Sequence, residues 1–160
     1  MSRARSGPKS ARGLYTAAER RRRDATVWTT VQAVLAPLQF VACLVSAILI
    51  ARFLATGEGY AAATASILVK TAFLAAIMVT GSIWEKVVFG RYLFAPAFFW
   101  EDVVSVAVIA LHLAYVWALL TDALGAEGQM LLALAAYATY VVNAGQFLVK
   151  LRIARAEAPA

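Results

Sequence analysis

Three carboxylates bracket an aromatic run in this chain. In WEKVVFGRYLFAPAFFWED, residues 84–102, a Trp84-Glu85 pair opens the run and Trp100-Glu101-Asp102 closes it, with Phe89, Tyr92, Phe94, Phe98 and Phe99 between. Apolar surroundings with little water favour a protonated carboxyl, and such a group is a general acid near neutral pH. The competing reading is a solvated rim, with Lys86 and Arg91 as counterions. An interfacial aromatic belt explains Trp and Tyr better than it explains the phenylalanines. An aromatic lip beside carboxylates suits a large, flat, apolar ligand with a reactive edge.

Two further ionisable residues, Lys70 and His112, lie inside long apolar stretches. A charged side chain at the centre of a bilayer costs at least ~2.5–3.5 kcal/mol, so intramembrane ionisable residues point to function. For His112 the alternative is a neutral, hydrogen-bonded core histidine. Cys43, the single cysteine, reads as a small packed residue. At ~100° per residue the polar residues of each stretch fall on one face. They are Gln32, Gln39, Cys43 and Ser46; Ser66, Lys70, Gly81 and, more loosely, Glu85; Glu101, Ser105, His112 and Tyr115; and Thr139, Asn143, Gln146 and Lys150. Four such stripes should face one another across a bundle interior, bonding the helices together or serving chemistry.

The elements that must position these residues are transmembrane helices. The chain is 62% hydrophobic and only 15% charged, against roughly 45–50% apolar in an ordinary soluble domain. Four stretches, 27–54, 61–84, 103–121 and 129–151, reach the ~20 residues a spanning helix needs. The expected fold is an all-α integral membrane protein: a four-helix transmembrane bundle (27–151) preceded by a disordered tail (1–13) and a short basic amphipathic surface helix (14–26), and followed by a C-terminal tail (152–160). The TAAE sequence at Thr16–Glu19 is a capping-box pattern that starts the surface helix. The first apolar stretch is too long for a signal peptide, so no cleavage is expected. Pro37 is positioned to kink the first span beside Gln39.

The net charge of +6 and the run Arg20–Arg23 resemble a nucleic-acid patch, but their placement argues otherwise. Lys and Arg gather before the first span, between the second and third, and after the fourth. By the positive-inside bias both termini and the 85–102 loop face the cytoplasm, with anionic lipid as the partner of the arginines. Nucleic acid is not an expected partner.

The stretches DATVWTTVQAVLAPLQF, LATGEGYAAATASILVKT, MVTGSIWEKVVFGRYLFAPAFFWEDVVS and YVVNAGQFLVKLR resemble the 2-vinyl bacteriochlorophyllide hydratase (chlorophyllide a hydratase) family, over roughly Leu14 to Ile153. The WEKVVFGRYLFAPAFFWED block is the most specific part. The resemblance implies a membrane enzyme of bacteriochlorophyll synthesis, in the inner membrane of a photosynthetic bacterium. It would add water across the 3-vinyl group of a chlorophyllide to give a 1-hydroxyethyl group. A non-enzymatic pigment-binding or assembly protein is the alternative. Hydration needs no redox cofactor, and the sequence has no nucleotide-binding glycine motif. Protonating the vinyl terminus leaves a cation conjugated with the macrocycle, so an acid acts first and a base for water follows. Glu85 and Glu101 are the preferred pair, with Asp102 and His112 as further candidates. His112 has a second possible role as axial ligand to the substrate's magnesium. Lys70, Lys86 or Arg91 would hold the propionate. Trp84, Tyr92, Phe98 and Trp100 would stack on the ring, with Asn143 and Gln146 as polar contacts. Contact with other bacteriochlorophyll biosynthesis enzymes is a further expectation.

Overall fold

The computed structural model describes residues 13–157, so most of the expected disordered tail and the last three residues lie outside it. Its helices are α1 (Ala17–Ala25), α2 (Val27–Thr56), α3 (Tyr60–Phe89), α4 (Phe99–Thr121) and α5 (Ala126–Ala156). Each of α2 to α5 is long and apolar enough to cross a bilayer. The chain is therefore an all-helical, multi-pass membrane protein.

Local chemistry sets the boundaries. Between α2 and α3, Gly57 and Gly59 take φ of 74° and 88°, a left-handed conformation open to glycine at no steric cost. That allows the chain to reverse within three residues. Gly90 ends α3 in the same way, at φ 85°. Pro37 lies inside α2 without interrupting the helix. Helix α5 continues to Ala156, through residues expected to form a tail. Ala154 there packs under the aromatic residues at that end of the bundle, which gives the extra turns a surface to lie on.

Helices α2 and α3 pair along their length, as do α4 and α5, so the bundle is two antiparallel hairpins set face to face. Between them lie Ile50, Ile67, Val108, Tyr115, Met130 and Ala133, all essentially inaccessible. The outward faces carry exposed Phe40, Leu44, Ile48, Val142 and Leu148, apolar groups suited to lipid. Gln39, Ser46, Lys70, Ser105, His112 and Asn143 turn inward and are buried. Thr139 is half-buried, and its hydroxyl donates to Ala135 O of its own helix. It thus needs no partner across the bundle.

Helix α1 starts at a closed capping box: Glu19 N donates to Thr16 Oγ1 (3.2 Å) and Thr16 N donates to Glu19 Oε2 (2.7 Å). It lies across the bundle end formed by the α3–α4 loop and the end of α5. Arg22 donates twice to Val88 O (2.9 and 2.6 Å), a free carbonyl of the last turn of α3. Arg20 donates to Glu157 O (2.7 Å), and Leu14 N donates to Glu157 Oε2 (2.7 Å).

Candidate active site

Helix α3 ends where α4 begins, so Glu85, Glu101 and Asp102 converge at one end of the bundle, and all three are buried. The Glu85 and Asp102 carboxyls are brought together by adjacent backbone amides of the loop. Glu85 Oε2 accepts from Ala95 N (3.2 Å), and Asp102 Oδ2 accepts from Phe94 N (2.7 Å). Glu101 points elsewhere. Its Oε1 is 3.6 Å from Lys150 Nζ, and its Oε2 is buried with no partner among the described residues. Its backbone oxygen receives Ser105 Oγ (2.8 Å) and Asn143 Nδ2 (2.9 Å), which fix the first turn of α4 against α5.

Glu85 and Asp102 share the amides of the loop, while Glu101 turns toward α5. Successive helical residues are rotated by ~100°, which sends the side chains of Glu101 and Asp102 to different neighbours. The difference is chemically useful. Two carboxyls can bond to one another only with a proton between them, because an ionised carboxylate can only accept. Glu101 has a cation for company and a free acceptor oxygen.

The loop at residues 90–98 covers this cluster. Besides the two amides already given, Arg91 Nη1 donates to Phe94 O (3.3 Å) and Lys150 Nζ to Ala97 O (2.6 Å). Phe94 sits at φ 59°, uncommon for a bulky residue. Two surface depressions occur, one bounded by Arg20, Arg21, Asp24 and Glu157, the other on the outer α2–α3 face by Leu38, Val41, Ser66 and Phe73. Neither of these two borders the carboxyls.

The aromatic residues divide into two groups. Trp84 stands edge-on to Phe98 and Phe89 (centroids 5.6 and 5.8 Å), and Tyr15 stacks on Phe89 (5.7 Å). Trp84 Nε1 donates to Thr29 Oγ1 (2.9 Å). Tyr92 and Trp100 instead face outward, 60% and 68% exposed. Trp100 adjoins the carboxylates in sequence but does not shield them in this conformation. Tyr15 carries little signal in the sequence, because it lies among basic and small residues. Its one signal is an aromatic immediately before a helix cap, where entering chains pack. Burial pushes its phenol up, partly offset by Arg23, whose guanidinium lies 4.8 Å from the ring centroid.

The remaining candidates are dispersed. Lys86 Nζ donates to Gly90 O (3.0 Å) and stands 5.3 Å from the Tyr92 ring centroid. Gln146 is half-buried, with Oε1 3.4 Å from Asn143 Nδ2. Lys70 and His112 lie deep in the bundle, fully enclosed. His112 is ten positions beyond Asp102 on α4, about 15 Å along the helix axis. No group of three or more His, Cys, Asp or Glu able to hold a metal occurs among the described residues.

A four-span bundle with three carboxyls buried under its longest loop defines a multi-pass membrane protein with an acidic site at one end. Comparison with known proteins gives the family. The model of the 2-vinyl bacteriochlorophyllide hydratase family matches residues 15–153, and the chain belongs to that family. Two relatives named 2-vinyl bacteriochlorophyllide hydratase are each 69% identical to it. The one from Rhodobacter capsulatus aligns over 149 residues, 93% of this chain and 86% of the relative. The one from Cereibacter sphaeroides aligns over 145 residues, 90% and 89%. No solved structure matches.

Proposed function

We infer that this chain is a hydratase of bacteriochlorophyll biosynthesis that adds water across the vinyl group of a chlorophyllide, giving a 1-hydroxyethyl group. Family membership supports the reaction. The observation that carries the mechanism is the buried Glu85–Asp102 pair with Glu101 beside Lys150.

The shared proton of the Glu85–Asp102 pair passes to the terminal CH2, and the positive charge left on the ring-side carbon is spread over the macrocycle. Water oxygen bonds to that carbon, and Glu101 Oε2, an acceptor without a partner among the described residues, takes the water's proton. That proton returns to the acid pair, so the enzyme ends as it began and the substrate has gained one water. Acid and base differ because one carboxyl pair is stabilised by sharing and the third carboxylate by a cation, an assignment by environment.

Substrate enters by displacing the 90–98 loop. The macrocycle then stacks on Trp84 and Phe98, with Tyr92 and Trp100 at the membrane-facing rim and Asn143 and Gln146 on the polar wall. Lys86 and Arg91, at the mouth of the loop, are placed for the propionate. The Lys and Arg distribution supports an inner-membrane orientation with both termini and this loop cytoplasmic, where the other enzymes of the pathway could hand over the pigment. Membranes containing the protein, incubated with vinyl chlorophyllide, should yield a product heavier by one water. Pigment retained without turnover would instead make this a binding or assembly protein.

A further inference from the structure

A second group of polar side chains, about 15 Å below the carboxyls, takes no part in that scheme. Lys70 Nζ, His112 Nε2 and Gln39 Oε1 are each buried with no hydrogen-bond partner among the described residues. The three residues are 0%, 1% and 5% exposed. They belong to one cluster. Lys70 Nζ lies over the Tyr140 ring, 3.8 Å from its centroid. Ser66, one turn before Lys70 on α3, donates to Ser46 Oγ (2.7 Å), which lies seven positions beyond Gln39 on α2. The His112 ring lies 5.8 Å from that of Tyr137, whose hydroxyl is 2.7 Å from Ser46 Oγ.

The unmet bonding has a definite sign at each atom. Lys70 only donates, and Gln39 Oε1 only accepts. His112 Nδ1 lies 2.8 Å from Val108 O. A carbonyl cannot donate, so Nδ1 carries a proton, and in the neutral ring Nε2 is left as an acceptor. The occupant must therefore accept from an ammonium and donate to an imidazole nitrogen and an amide oxygen. A carboxylate or other anion satisfies Lys70 alone, and a metal ion would be repelled by it. Water satisfies all three, and buried water typically makes about three hydrogen bonds to otherwise unmatched polar groups.

We propose that Lys70, His112 and Gln39 form an internal water-binding site at mid-membrane, and that this site holds the second substrate of the hydration inside the bundle. Binding of water there stands on geometry alone, whereas its use in turnover rests on the hydratase reading above. The lipid-facing surface brings no water to a site in the hydrocarbon region, and once the loop has moved its place is filled by the macrocycle. A store between the hairpins, about 15 Å below the carboxyls, supplies water toward Glu101 from the side away from the bound pigment.

His112 is the only histidine of the chain, so histidine labelled with ¹⁵N gives one imidazole to follow. The full-length protein in phosphatidylcholine–phosphatidylglycerol vesicles, studied by solid-state NMR, should show magnetisation passing from water protons to His112 Nε2 within milliseconds. Its shifts should be those of a ring protonated at Nδ1 and accepting at Nε2. Gln39→Leu and Lys70→Met should each weaken that transfer about two-fold or more, since each removes one of about three bonds holding the water. A well-resolved imidazole that receives nothing from water, or one bare at Nδ1, overturns the site without touching the carboxyl mechanism. Normal transfer in the parent together with parent-rate hydration by Gln39→Leu overturns the use of the site in turnover.

Discussion

At the scale of single residues, the three carboxyls at the loop end differ by company rather than by type. Glu85→Gln or Asp102→Asn leaves the partner carboxyl without its shared proton, and Glu101→Gln removes the acceptor beside Lys150. Each should lower hydration by about 100-fold or more, the lower range of acid–base contributions, while chlorophyllide still binds by absorbance titration. Parent-rate hydration in all three would leave them as structural groups fastening the loop. His112 separates in another way. With its Nε2 turned to water, His112→Ala should bind magnesium and metal-free chlorophyllides equally while turnover drops; loss of the magnesium substrate alone would mark a metal ligand. The types and neighbourhood of these residues were legible in the sequence, because the carboxylates flank one short loop and Lys70 and His112 fall in apolar runs. Their partners were not. Whether Glu85 shares the loop amides with Glu101 or Asp102 depends on a single 100° step of α4, and nothing in the local sequence sets that rotation. It comes from Ser105 and Asn143 binding the Glu101 carbonyl, a contact between residues far apart in the chain.

At the scale of elements, the spans were legible because length and hydropathy suffice for helices in a bilayer, where every backbone group must find an internal partner. The loop was harder to read. Its aromatic composition suggests an open lip, yet backbone amides of Phe94 and Ala95 bond the very carboxyls that the lip was expected to present. Loops take their course from contacts with distant groups, which periodicity does not report. The cost of the closed form is concentrated at Phe94, since a left-handed conformation disfavours a residue with a Cβ by about 1–2 kcal/mol. Phe94→Gly relieves it. Amide hydrogens at positions 94 and 95 should then exchange about ten-fold more slowly, as ~1.4 kcal/mol of added closed-state stability implies. If opening limits the enzyme, substrate should also bind more slowly. Unchanged exchange would show that Phe94 is not where the loop stores its strain.

At the scale of the whole molecule, the two hairpins meet through large polar and aromatic side chains, and the cations cluster at one end. A reporter fused after Ala160 should read cytoplasmic and one inserted near Glu127 should read periplasmic, as the Lys and Arg asymmetry requires; the opposite pattern would turn the carboxyl cluster to the other side. The arginines read from sequence as topology and lipid contacts have an additional structural use, because Arg20 and Arg22 bond Glu157 O and Val88 O. Those bonds join the first helix to the ends of α3 and α5. During synthesis α1 leaves the ribosome before either partner exists, and Glu157 emerges only after all four spans. A segment made before the spans is therefore seated after them. The docking of α1 can follow only when the last span, α5, has been made.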